Sequence, residues 1–222
     1  MRLDLHVHTY YSADGSVKPE NYIKIACKQG LDGFAITDHN ETKGAAKAYE
    51  LAKNRKDLVI IRGVEVSSAK GHILGYGLTE MIPRGLSPEE TVERIKAAGG
   101  VPVAAHPYRH ASGLGAEVVK RIRFNSVETL NHRSLHRENQ RAVKLALELN
   151  AGTTGGSDAH FEVELGLATT EFKINSNNVD DILAEIEKKN TTPVGEDSTL
   201  AQGLRMYTKL VVHWFKRGFK RV

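Results

Sequence analysis

A chain of 222 residues with 40% hydrophobic content can bury one sizeable core without dividing into several domains. Its single cysteine, Cys27, excludes an internal disulfide framework and a cysteine-rich zinc finger and fits a reducing, cytoplasmic setting. The formal net charge of +4 comes from the end of the chain, where six cations (Arg205, Lys209, Lys216, Arg217, Lys220 and Arg221) and no acid follow Asp197; the remainder, 25 basic against 27 acidic residues, gives no basic surface for a nucleic-acid polymer.

Strand-like apolar runs are expected at residues 3–7, 33–37, 58–66, 101–105, 125–130 and 152–155. Helical patterns fall between them. Ser87-Pro88-Glu89-Glu90 has capping-box spacing with proline at the first helical position, and Val92 and Ile95 follow on one face. Ala142, Leu145, Ala146 and Leu149 form a second apolar stripe, and Val179, Ile182, Leu183 and Ile186 a third. The alternation predicts βα units around a parallel sheet. A closed or nearly closed barrel explains it better than an open sheet, because barrel strands deliver their C-terminal ends to one mouth. This domain is expected over residues 1–196. Residues 197–222 read as a basic amphipathic helix, with Leu200, Leu204, Tyr207, Val211 and Phe215 on one face and Lys209, Lys216 and Lys220 on another. Such a helix suits packing on the barrel, self-association, or peripheral contact with an anionic membrane. The first residues lack the pattern of a signal peptide, and no run is long and apolar enough to span a bilayer.

Potential metal ligands gather at the ends of these runs. His6 and His8 in LDLHVHT stand two apart, the spacing that puts strand side chains on one face, and Asp158 and His160 in GGSDAH repeat it. The glycines before Asp158 permit a close turn. His39 follows GFAIT, His106 follows VPVAA, Glu65 lies in GVEVS with His72 just beyond, and Asp14 lies in SADG. Imidazole and carboxylate donors suit zinc, manganese or iron, and nine of them exceed the needs of one closed structural zinc. Arg109, three residues after His106, is placed to bind phosphate oxygens with its planar fork. His110 is a candidate proton donor to a leaving group, His132 and Arg133 are candidates for the mouth, and Asp38 is expected to orient His39 or a loop.

The motifs HVHT, SADG, TDHN, GVEVS with HILGY, AHP and GSDAH, in this order and spacing, resemble the polymerase and histidinol phosphatase (PHP) superfamily over roughly residues 1–196. The resemblance implies a distorted (β/α)7 barrel with two or three divalent ions at its mouth. It also implies hydrolysis of a phosphomonoester or phosphodiester of a nucleotide or other small molecule by a metal-activated hydroxide. By the same resemblance His6, His8, Glu65 and Asp158 hold one ion, Glu65, His72 and His106 a second, and Asp14, His39 and His160 a third, with Glu65 bridging the first two. Asp14 stands where some relatives have histidine. Histidinol-phosphate phosphatase is the alternative enzymatic reading, and a metal-stabilised, non-catalytic binding or regulatory module the alternative of another class.

Overall fold

The computed structural model describes residues 1–198 and, beyond them, Thr208, Val211, Val212 and Phe215, all four helical. In chain order the elements are β1 (Arg2–Val7), α1 (Pro19–Gln29), β2 (Gly33–Ile36), α2 (Lys43–Ala52), β3 (Val59–Ser68), β4 (Gly71–Tyr76), α3 (Pro88–Ala97) and β5 (Val101–Ala104). These are followed by α4 (Ala116–Ile122), β6 (Ser126–Asn131), α5 (His136–Leu149), β7 (Gly152–Gly156), β8 (Ala168–Phe172), α6 (Val179–Glu187) and β9 (Thr191–Gly195). Of the helix expected over residues 197–222, Asp197 and Ser198 are described and are not helical, with Ser198 bridging to Leu135 instead; apart from the four helical residues just named, the others lie outside the described ones. Among the described residues, no helix is long and apolar enough to cross a membrane.

The nine strands form one sheet in the order β7-β6-β5-β4-β3-β2-β1-β8-β9. β1, β2 and β3 are parallel, as are β5, β6 and β7. β4 lies antiparallel between the two groups, and β8 and β9 add an antiparallel flap beside β1. Threonine side chains bring the two edges together. Thr170 Oγ1 donates to the Gly155 carbonyl at 2.8 Å, and Thr191 Oγ1 donates to that of Thr153 at 2.7 Å, which ties β8 and β9 to β7. The result is a nearly closed, distorted α/β barrel, as expected. All six strands expected from the sequence are present, and β4, β8 and β9 are additional.

Three apolar clusters fix the layers. Inside the barrel, Leu3, Leu5, Ile61, Leu74, Tyr76 and Val103 pack on Ile182, Leu183 and Ile186 of α6. Because α6 meets the first residues of the parallel strands, it closes the end opposite their C-termini. Outside, α1 and α2 cover Val7, Phe34, Ile36 and Ile60. Residues of α3, α4 and α5 cover Val64, Val66, Ile73 and Val127. Helix α3 starts as its sequence requires, with Ser87 Oγ accepting from Glu90 N at 3.1 Å and Pro88 in its first turn.

Two register shifts matter for the mouth. One lies in β1 between Asp4 and Val7, the other in β6 between Glu128 and Leu130. A bulge turns the following side chains to the other face. Leu3 and Leu5 therefore point into the lumen while Val7 points outward, and the inward positions at the end of β1 pass to His6 and His8.

Candidate metal centre

At the C-terminal end of the parallel strands, nine donor side chains converge. His6 Nε2 lies 3.0 Å from His8 Nε2, 3.1 Å from Glu65 Oε2 and 3.7 Å from Asp158 Oδ1. His8 Nε2 is 3.2 Å from the same two oxygens. The other oxygen of Glu65, Oε1, lies 2.8 Å from His72 Nδ1 and 2.9 Å from His106 Nε2. At the rim, Asp14 Oδ2 is 2.8 Å from His160 Nε2 and 3.3 Å from His39 Nε2. His39 Nδ1 turns back toward Glu65 Oε2 at 3.4 Å.

β4 explains how His72 arrives. An antiparallel strand presents its first residues where parallel strands present their last. His72 pairs with Ser67 and Leu74 with Glu65, so His72 and Glu65 occupy the same face of the hairpin.

The donors fit divalent ions on three counts. His6, His8, Glu65, His106 and Asp158 are each at most 2% exposed, and such a concentration of buried acceptors needs cations to balance it. Atoms 2.8–3.7 Å apart have the spacing that ligands keep around one ion with bonds of about 2.0–2.2 Å. Finally, the buried His39 Nδ1 has no hydrogen-bond partner among the described residues. His39 Nδ1 is thus an open donor beside Glu65 Oε2.

Charge reinforces this fit. Burial raises the Glu65 carboxyl, but His39, His72 and His6 overcome it and hold the group well below the ordinary range. Asp158 is likewise lowered against burial by His6 and Arg109, and Asp14 by His160 and His39. For His106, burial and then Arg109 depress the imidazole to about 4, which keeps it neutral as a ligand must be. Backbone geometry is unusual at two of the donors: His106 has φ 24° and Asp158 φ 56°, both in the left-handed region.

The structure places the other expected residues variously. Arg109 reaches the site, but Nη1 donates to Asp158 Oδ2 at 2.6 Å and Nη2 to Asn131 Oδ1, so the fork holds a protein carboxylate instead of standing open to phosphate. His110 is exposed and is not brought to the cluster. His132 Nδ1 donates to the Glu196 carbonyl, and Arg133 pairs with Glu164, whose carboxylate accepts from His160 N at 2.8 Å. Asp38 accepts from Thr9 N and Thr9 Oγ1 at 2.5 and 2.6 Å, which orders the loop after β1, and burial pushes its carboxyl up to about 6. Glu128 and Asn131 were not among the expected site residues. Both are buried, Glu128 within β6 and Asn131 at its end, and Glu128 Oε1 accepts from His6 Nδ1 at 2.9 Å.

A barrel mouth carrying six imidazoles and three carboxylates defines a metal-dependent hydrolase. The domain model described as the PHP domain matches residues 4–190, and the chain belongs to that family. It is accordingly a metal-dependent phosphoesterase. An uncharacterized protein of Methanocaldococcus jannaschii is 38% identical over 148 residues, covering 62% of this chain and 85% of that protein. A phosphoribosyl 1,2-cyclic phosphate 1,2-diphosphodiesterase of Eggerthella lenta is 38% identical over 86 residues, only 36% of this chain and 32% of that enzyme. Among solved structures, a two-domain Bacteroides vulgatus protein containing a predicted PHP-like metal-dependent phosphoesterase superposes with a TM-score of 0.74 at 18% identity, over 94% of this chain and 69% of that one.

Proposed function

We propose that the chain hydrolyses a phosphomonoester or phosphodiester of a nucleotide or other small molecule at this mouth. His6, His8, Glu65 and Asp158 would hold one divalent ion, Glu65, His72 and His106 a second, and Asp14, His39 and His160 a third. Zinc, manganese and iron suit these donors. The observation that carries the reading is the division of Glu65, whose Oε2 faces His6 and His8 while Oε1 faces His72 and His106. A carboxylate shared in this way could bridge two neighbouring ions. Ions held there would supply an activated water and neutralise charge on the phosphoryl oxygens.

The protein's own residues hold this arrangement. Neutral His106 presents Nε2 to Glu65, Arg109 fixes Asp158, and the Asp14 rim, with that side chain 18% exposed, leaves the third set open to a substrate oxygen. The name of the Eggerthella lenta relative supports a small sugar-phosphate ester as substrate. Wild type should contain divalent metal by elemental analysis and turn over a member of a panel of nucleotides, cyclic nucleotides, sugar phosphates and histidinol phosphate once manganese or zinc is added. His106→Ala should abolish turnover while the chain still folds. Undiminished activity in that variant sinks the ligand assignment, and failure of the metal-loaded wild type on the whole panel favours a binding module.

A further inference from the structure

We propose that Glu128 is a positioning residue that couples the two ion sites joined by Glu65, holding one ligand of each without binding metal itself. The proposal rests on the metal assignment above. Glu128 is 1% exposed, and its carboxylate accepts from His6, His106 and Asn131 beside the mouth. Oε1 accepts from His6 Nδ1 at 2.9 Å. Oε2 accepts from the main-chain N–H of His106 at 2.8 Å and from Asn131 Nδ2 at 3.1 Å.

These bonds act on the two sites by different routes. A proton on His6 Nδ1, donated to Glu128, fixes the tautomer with its lone pair on Nε2, the atom facing His8, Glu65 and Asp158. At His106 the bond is to the backbone. A residue with φ 24° needs its surroundings to hold it there, and the bond to Glu128 anchors the peptide from which Nε2 reaches Glu65 Oε1. Asn131 extends the network, with Nδ2 3.3 Å from Asp158 Oδ2. The register shift in β6 between Glu128 and Leu130 lets Glu128 and Asn131, three residues apart, both face this network.

Direct ligation is the competing role, because His6, His106 and Glu128 form a group whose donor atoms lie within 4.8 Å of one another. Both Glu128 oxygens, however, already accept from N–H groups, and the His6 nitrogen it meets is the one turned away from His8 and Glu65.

Glu128→Ala and the near-isosteric Glu128→Gln would be stripped of metal and reloaded with manganese, zinc or cobalt. Ions per chain at saturation, affinity by chelator competition and the cobalt absorption spectrum would be compared with wild type, and circular dichroism would check folding. The expected result is an unchanged number of ions at saturation, affinities lowered roughly 10–100-fold for two of them, and an altered cobalt spectrum. In Glu128→Gln the amide oxygen can still accept from His6 while the amide nitrogen opposes the His106 N–H, so one ion should weaken more than the other. Should Glu128→Ala fail to fold, Glu128→Gln carries the test. Wild-type affinities in a folded variant overturn the proposal, as does the loss of one ion from the saturated count, which would make Glu128 a ligand. A wild-type chain that binds no divalent ion instead removes the metal assignment itself.

Discussion

Gly156→Ala tests how closely the backbone must approach His6. A Cβ added at Gly156 would lie 2.4 Å from His6 Cβ and 2.7 Å from His6 N. Carbon atoms in contact prefer about 3.5–4.0 Å, so the strands would have to separate by about 1 Å. β1 has little freedom to yield, because the His6 N–H donates to Asp4 Oδ1 at 3.2 Å and its carbonyl accepts from Ala159 N at 3.3 Å. Overpacking of this kind costs about 1–3 kcal/mol. The larger effect falls on the site, where His6 Nε2 has neighbours at 3.0 and 3.1 Å and misplacement by about 1 Å lowers turnover roughly 100-fold. Urea unfolding of metal-free protein gives the first quantity; chelator competition and steady-state kinetics give the second. Gly99→Ala is the control. With φ 78° and open space around it, it should lower stability by about 1 kcal/mol and leave metal affinity unchanged. Wild-type metal affinity in Gly156→Ala would refute the reasoning, because it would show that β1 can shift without moving its ligands.

Metal uptake should release protons. Burial lowers the His8 imidazole, but Asp158 and Glu65 raise it to about 10 in the absence of metal, so at neutral pH an ion must displace that proton. Apparent affinity should rise about tenfold per pH unit for each proton displaced, and calorimetry in buffers of different ionisation enthalpy would show no release if this is wrong. Arg109→Met should cost about 3 kcal/mol, the lower end for a broken buried pair because Arg109 is 22% exposed, and should weaken metal binding through Asp158; denaturation and chelator competition would detect both. Asp4→Asn replaces an acceptor of three backbone N–H groups, from His6, Ser157 and Gly166, and should cost about 1–3 kcal/mol in urea unfolding. Burial raises Asp4 to about 6, above its unfolded value of 3.8, so ionised Asp4 opposes folding as pH rises through this window. The variant lacks that term, and its deficit should therefore be greatest at low pH, shrink between about 3.8 and 6, and level off above 6; a deficit that grows with pH would contradict the sign.

The sequence discloses elements whose burial is written into continuous apolar runs. β1, β2, β3, β5, β6 and β7 are of this kind, each covered on both faces by the lumen core or outer helices. β8 and β9 are not. Ala168–Phe172 is threonine-rich, and Thr191–Gly195 carries Pro193 and Gly195, so neither has a strong apolar signal; their register on β1 and on each other comes from tertiary pairing. HILGY does have a strand-like composition, but its direction cannot be read from composition alone. Only the hairpin with β3 shows why a histidine at the start of a strand reaches a mouth otherwise supplied by strand ends.

The same distinction separates the legible part of the site from the rest. Side chains at positions i and i+2 of a strand share a face, so His6 with His8 can be paired from spacing, whereas Asp158 and His160 lie beyond the end of β7, with Asp158 at φ 56°, and are placed by that loop instead of by strand alternation. Glu128 cannot be identified in this way. It stands in SVETLN among residues of a regular strand, and the β6 register shift, set by pairing with β7, accompanies its placement beside His6 and His106. Arg109 is the intermediate case. Its closeness to His106 in sequence is legible, whereas its bond to Asp158 depends on a buried carboxylate supplied by a strand-end loop 49 residues away. The donors gather at strand ends that local sequence marks, although only His6, Glu65 and His72 lie within strands; the groups that orient them depend on register between distant strands. Substitutions at Glu128 and Gly156 therefore probe a part of the metal centre that substitutions of the nine donors cannot reach.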